Sequence, residues 1–192
     1  MAAMARWDPD ARGRLTKAAM QLYAERGFDA TTVADIARNA GLTERTFFRH
    51  FADKREVLFA GSSRLQELMV AAVVNAPASA PPIHAVAAGV AAAGTALTDL
   101  AFSRRRQALI ESNPTLQERE LIKMARLGSA FAAALRERGV AEPGASLIAE
   151  AGMAVFRVAF DRWVKNAGDR SLSELTREGF AELRSLVASA AV

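Results

Sequence analysis

The chain of 192 residues contains no cysteine. That excludes disulfides, thiolate nucleophiles and thiolate metal sites, and it suits a reducing compartment. Histidine is almost as scarce, with only His50 and His84, and neither has a second histidine nearby to share a metal. No Ser/His/Asp set or paired-carboxylate arrangement emerges either, so hydrolytic chemistry has no evident carrier. No apolar run is long enough to span a bilayer. The best stretch, Ile83 to Ala101, is interrupted by His84, two glycines, threonine and Asp99. Asp8 and Asp10 precede any apolar run, which is unlike a signal peptide. No segment alternates with a convincing period of two. These absences predict a cytoplasmic, all-α protein that is not an enzyme, uses no cofactor or metal, and does not engage a membrane.

What is present agrees with that class. The hydrophobic fraction is 51%, much of it alanine, and six prolines sit near predicted breaks. Alanine, leucine, glutamate and arginine all favour helix. The net charge of +4 and pI near 10.1 favour a polyanionic partner. Ten basic and eight acidic residues lie in the first sixty positions, fifteen and thirteen in the rest. Total charge therefore does not locate a site. The local cluster Arg45, Arg49, Lys54 and Arg55 does.

That cluster belongs to the most informative stretch, Thr31 to Leu58. Thr32-x-x-Asp35 has the spacing of a capping box. Val33, Ile36, Ala37 and Ala40 then share one helical face. Gly41 permits a sharp reversal, Leu42 plugs the turn and Thr43 is a good N-cap for a second helix. In that helix Phe47 and Phe51 lie four apart on a buried face. Thr43, Glu44, Arg45, Thr46 and Arg49 are left towards solvent. This is the pattern of a helix-turn-helix DNA reader over about residues 32–50, or of an ordinary helical hairpin with a solvated outer face.

The residue string itself resembles the DNA-binding domain of the tetracycline-repressor (TetR) family. The matching residues are Thr31-Thr32-Val33, Ile36-Ala37, Ala40-Gly41, Thr46-Phe47-Phe48, His50-Phe51 and Lys54. The resemblance implies double-stranded DNA as a partner. Base edges would be met by Thr43, Glu44, Arg45 and Thr46, with Arg45 the guanine reader. Phosphates would be met by Thr32, His50 and Lys54, with Arg49 close by. For His50, packing and capping between two phenylalanines is the other account. One departure stands out. The family usually has tyrosine where this chain has Phe48, which offers apolar contact but no donor.

Before this stretch, a helix from Pro9 to Arg26 is expected, with Arg6, Arg12, Arg14 and Lys17 on a solvated face or near DNA. After it, Asp53-x-x-Glu56 predicts one helix running to about Val74, roughly 33 Å long at 1.5 Å per residue. Its stripe is Val57, Leu58, Leu65, Leu68 and Met69. Pro77 to Pro82 reads as a loop. Further helices follow at about 83–98, 101–112, 115–137 and up to 166, and Ser171 or Ser173 caps the last. The 115–137 helix carries Leu121, Met124, Leu127, Phe131 and Leu135 on its apolar face.

Phe102, Leu109, Met124, Leu127, Phe131, Met153, Phe156 and Phe160 are equally good core residues or walls of a ligand cavity. The family resemblance implies the cavity, with a small-molecule effector. Val155, Phe156, Ala159, Phe160 and Trp163 form one late stripe; Leu175, Phe180, Leu183 and Leu186 form another. They would close the protomer's own core or build a four-helix dimer interface, and the family resemblance favours the interface. The second half also resembles an actinobacterial subgroup, some of whose members respond to long-chain acyl-CoA. Ser103-Arg104-Arg105-Arg106 would then meet phosphates or simply be a solvated helix start.

The expected fold is thus all-α: an N-terminal three-helix bundle with a helix-turn-helix at residues 1–52, then a helical ligand-binding and dimerisation domain at residues 53–192. The expected function is a homodimeric, ligand-responsive regulator of transcription, a repressor released from a pseudo-palindromic operator by an apolar or amphipathic effector. The alternatives are a helical enzyme or carrier keeping the helix-turn-helix as scaffold, and a DNA binder with a filled core and no effector.

Overall fold

The computed structural model describes residues 10–166 and 168–189. They form ten helices and no strand: α1 (Ala11–Arg26), α2 (Val33–Asn39), α3 (Glu44–His50), α4 (Lys54–Leu58), α5 (Ser62–Val74), α6 (Pro82–Ala96), α7 (Leu100–Glu111), α8 (Pro114–Glu137), α9 (Gly144–Asn166) and α10 (Leu172–Ser189). Arg6 lies outside the described residues. The chain divides into two compact units. Of the described residues, one unit holds those up to 60 together with 108–116, and the other holds 61–107 and those from 117 onwards.

In the first unit, short helices are held by their caps as much as by their length. Thr32 accepts from the Asp35 amide while Asp35 accepts from the Thr32 amide, the reciprocal box predicted for α2. Thr43 caps α3 and Asp53 caps α4 in the same way, each accepting from the amide three residues on. Gly41 takes φ +66°, which an L side chain rarely adopts, so the chain reverses between α2 and α3. Leu15, Tyr23, Ile36, Phe47, Phe51 and Leu58 form the buried centre of this unit. Leu116 and Ile110, from the 108–116 stretch, are also buried.

The single long helix expected from Asp53 to Val74 does not exist. α4 stops at Leu58, Gly61 takes φ +84°, and α5 begins at Ser62. A positive φ cannot be carried through an α-helix, so the glycine divides what the apolar stripe alone would join. Leu68, expected on that stripe, is exposed instead.

In the second unit, α6 packs against α5, α9 and α10. Its small residues allow that position: a side chain at Gly89 would collide with Val73 and the Met69 carbonyl of α5, and one at Gly94 with Ser173 of α10, while Gly152 of α9 leaves room for Val86. Around α6 gather Met69, Val73, Val90, Phe131, Leu135, Met153, Trp163, Leu172 and Leu175 in one cluster. Leu121, expected on the buried face of α8, is 68% exposed. The late stripes also need correction. Val155, Phe156, Ala159, Trp163, Leu175 and Phe180 are all buried inside the protomer's own core, and Leu183 packs at its edge. Phe160 is half-buried, and Leu186, the last member of the second stripe, is exposed. The large apolar residues of α9 and α10 that stay exposed are Leu147, Val158, Leu186 and Val187.

Candidate nucleic-acid interface

The recognition face is built from the inside outwards. Phe47 and Phe51 are buried with ring centroids 5.5 Å apart, which fixes the rotation of α3 about its axis. Four residues are thereby turned out to solvent: Glu44, Arg45, Phe48 and Arg49. Thr43 is exposed too, but its hydroxyl is engaged by the Thr46 amide at 3.1 Å and the Thr46 hydroxyl at 3.0 Å. Thr46 is half-buried. Phe48 stands edge-on to Phe47, with centroids 5.6 Å apart and planes at 83°.

The residues expected to meet phosphate are placed less favourably. Thr32 is exposed, but its hydroxyl donates to Asp35 at 2.6 Å and its amide points to the same carboxylate at 3.2 Å. Those hydrogen bonds, the side-chain one first, hold the Asp35 carboxyl below its ordinary value, so a negative charge sits where a phosphate was expected. The Nε2 of His50 is buried without a hydrogen-bond partner, consistent with the packing account of that ring.

Lys54 differs most from expectation. Its ammonium donates to the carbonyls of Phe28, Asp29 and Thr31 at 2.9, 3.1 and 2.9 Å, and lies 4.6 Å from the centre of the Phe28 ring. An ammonium has three donors, and three acceptors use them. Its own carbonyl accepts from the Tyr23 hydroxyl at 2.6 Å. Burial, and then the charge of Asp53, push the Tyr23 phenol well above its usual range, so it remains a donor. Lys54 thus ties α4 to α1 and to the α1–α2 loop rather than projecting as a free cation.

Two arginines of α1 carry roles that periodicity did not reveal. Arg14 donates to the carbonyls of Ala40 and Gly41, covering the C-terminal end of α2 at the turn. Arg12 lies 5.2 Å over the Phe51 ring. Asn113 was also missed. Its side-chain oxygen accepts from the Thr115 and Leu116 amides at the start of α8, and its amide donates to Asp29 at 3.3 Å. A basic residue one helix away and an Asn-Pro pair were the available signals.

The eight residues offered as cavity walls are not all brought together. Leu127, Phe131, Met153 and Phe156 belong to the buried cluster of the second unit, with Met124 and Phe160 at its edge. Phe102 is half-buried outside that cluster. Leu109 falls in the stretch that groups with the first unit. The arginine run is partly committed as well. Arg106 pairs with Glu120 at 2.6 Å, and Arg104 donates to the Val164 carbonyl at 2.7 Å. Burial would raise the Glu120 carboxyl, yet Arg106 and Lys123 together hold it below its ordinary value. Among the described residues no group of three or more acidic or histidine side chains is placed to hold a metal ion. Nor is any single helix among them long and apolar enough to cross a membrane.

A capped helix, a glycine turn and a second helix with a charged outer face define a helix-turn-helix protein of the DNA-reading class. Comparison with known proteins agrees at both ends of the chain. The family model for bacterial regulatory proteins of the tetR family matches residues 15–60, and that for the MftR C-terminal domain matches residues 80–188. The HTH-type transcriptional regulator TcmR of Streptomyces glaucescens is 39% identical over 75 residues, 39% of this chain and 33% of that protein. The HTH-type transcriptional repressor KstR2 of Mycobacterium tuberculosis is 47% identical over 47 residues, 24% of each chain. These matches thus span a third or less of the relatives' own length. The fold is also that of SmeT in its triclosan complex, with TM-score 0.64 and 19% identity over 93% of this chain and 90% of that one. The chain belongs to the TetR family of transcriptional regulators.

Proposed function

We propose that the chain is a homodimeric repressor that reads a pseudo-palindromic operator through α3 and is released by a small apolar or amphipathic effector. The observation that carries the DNA-reading part is the outer face of α3, Glu44, Arg45, Phe48 and Arg49, held outward by the buried Phe47 and Phe51. An α-helix fits the major groove, and an arginine there reads guanine through two hydrogen bonds. On this reading the N-terminal unit binds DNA and the second unit senses the effector and dimerises, in the cytoplasm. Effector binding would favour arrangements of the two protomers whose recognition helices no longer match grooves about 34–36 Å apart.

The effector part is supported by the family and by SmeT, a relative in fold that binds triclosan. Methionine and phenylalanine at Met124, Phe131, Met153 and Phe156 suit an adaptable apolar site. An acyl-CoA remains within the proposed class, but Arg104 and Arg106 already have partners, which weakens the case for a phosphate clamp there. The second reading, a DNA binder with a filled core, is favoured by the burial of Leu127, Phe131, Met153 and Phe156 in one cluster. The test is binding of the full-length protein to duplexes selected from a random library, followed by release with extracted small molecules. Failure to select any sequence would sink the regulator. Selection without release by any fraction would favour the filled core.

A further inference from the structure

We infer that Phe48 is a specificity residue that reads the 5-methyl group of a thymine. The inference rests on the proposed docking of α3 in the major groove. Phe48 is 56% exposed, and no other phenylalanine among the exposed large apolar residues shares that position. It lies at the middle of the recognition face, four residues after Glu44, three after Arg45 and one before Arg49. The ring does not swing freely, because it stands edge-on to Phe47, which has no exposure at all.

A phenyl ring has neither donor nor acceptor, so it cannot bond a phosphate oxygen or the polar edge of a base. Within the major groove one feature is apolar, the methyl group of thymine, and phenylalanine is among the side chains that meet it. The neighbours supply the register. Arg45 stands about 4.5 Å back along the helix axis at 1.5 Å per residue. Successive base pairs are about 3.4 Å apart. The thymine is therefore a near neighbour of the base that Arg45 meets. The two flanking arginines hold the helix against the polyanion, which keeps the exposed ring from remaining in water once the duplex is bound.

The experiment uses the full-length protein and the duplexes it selects from a random library. Each thymine of the selected site is replaced in turn by deoxyuridine, which removes the methyl group and nothing else. Affinities are compared for wild type, Phe48→Ala and Phe48→Leu, with helical content checked by circular dichroism. For wild type, one thymine per half-site is expected to show a loss of about fourfold on losing its methyl group, the factor given by burying one such carbon. In Phe48→Ala that loss should vanish at that position, with thymine and uracil bound alike; Phe48→Leu should keep part of it. The inference is overturned if no wild-type thymine is sensitive, or if the sensitivity persists undiminished in Phe48→Ala. A ring packed on deoxyribose would give the first result, with Phe48→Ala weakening every duplex equally. Failure of wild type to select any duplex would instead overturn the DNA-reading function itself, and this inference with it.

Discussion

The ammonium of Lys54 lies 2.9 Å from the carbonyl oxygen of Thr31, the residue directly before the N-cap of α2. With the Phe28 and Asp29 carbonyls it completes a cradle that fixes the loop from which the helix-turn-helix starts. Lys54→Ala leaves these carbonyls without their charged donor and should destabilise the protein by about 1–3 kcal/mol in urea unfolding. The slope of log affinity against log salt should stay as in wild type, because no phosphate contact is lost. A slope lower by about one unit with unchanged stability would restore Lys54 to the DNA interface.

Arg45 makes the opposite prediction. It is exposed on α3 and no folding role is evident for it. Arg45→Ala should leave the unfolding midpoint unchanged and cost about 1–3 kcal/mol on the selected duplex, while relaxing preference at one base pair. The comparison is a selection repeated with the variant. An unchanged consensus would remove Arg45 from base reading.

Much of this site was legible because its signals are local. Thr32 with Asp35, Thr43 with Thr46 and Asp53 with Glu56 are caps three residues apart, and Gly41 marks the reversal between them. The Lys54 cradle was not legible, since its acceptors are backbone carbonyls 23 to 26 residues away whose direction no side-chain pattern records. Gly61 was missed for a related reason. A glycine inside an apolar stripe is compatible with helix, and only its φ shows that the helix ends. In the second unit, periodicity marked Phe156, Trp163, Leu175 and Phe180 as apolar faces without saying what would cover them. The small residues of α6, which let that helix enter the cluster, decide it.

Acid should weaken the start of α2 in a way that one variant isolates. The Asp35 carboxyl is held below its ordinary value of 3.8, chiefly by the Thr32 hydroxyl and then by the Thr32 amide. A folded-state value below the unfolded one means that the carboxylate's contribution is complete above about pH 4. It is lost as pH falls through the lower, folded value. Asp35→Asn should therefore be less stable than wild type near pH 6, and the gap between their urea midpoints should close as the pH drops towards 3. A gap that is constant with pH would show that the charge on Asp35 does not matter.

Assembly now has to be tested at the residues of α9 and α10 that stay exposed, among them Leu186, the one open member of the late stripes. Glu178 pairs with Arg162, Gly179 packs on Val155 and Phe180 lies against Gly152, so α10 runs back along α9. Counting from these contacts, Leu186 lies level with the region of Leu147. On α9, Leu147, Ala151, Ala154 and Val158 recur at helical spacing, and the two large members are 66% and 60% exposed. Leu186 and Val187 add 58% and 63% exposed apolar side chains on α10. An isologous contact would cover this face with its own copy and produce two recognition helices related by a two-fold axis. Leu186→Glu should convert a micromolar homodimer into a monomer in sedimentation and abolish tight binding to the full selected site. The unfolding midpoint should fall only by what dimerisation contributed and should no longer depend on protein concentration, because the residue is outside the protomer's core. Leu183→Glu would be a poorer choice, since Leu183 packs against the core and the protomer itself would be strained. A wild type that sediments as a monomer, or a Leu186→Glu monomer that still binds the full site tightly, would rule out the two-fold arrangement.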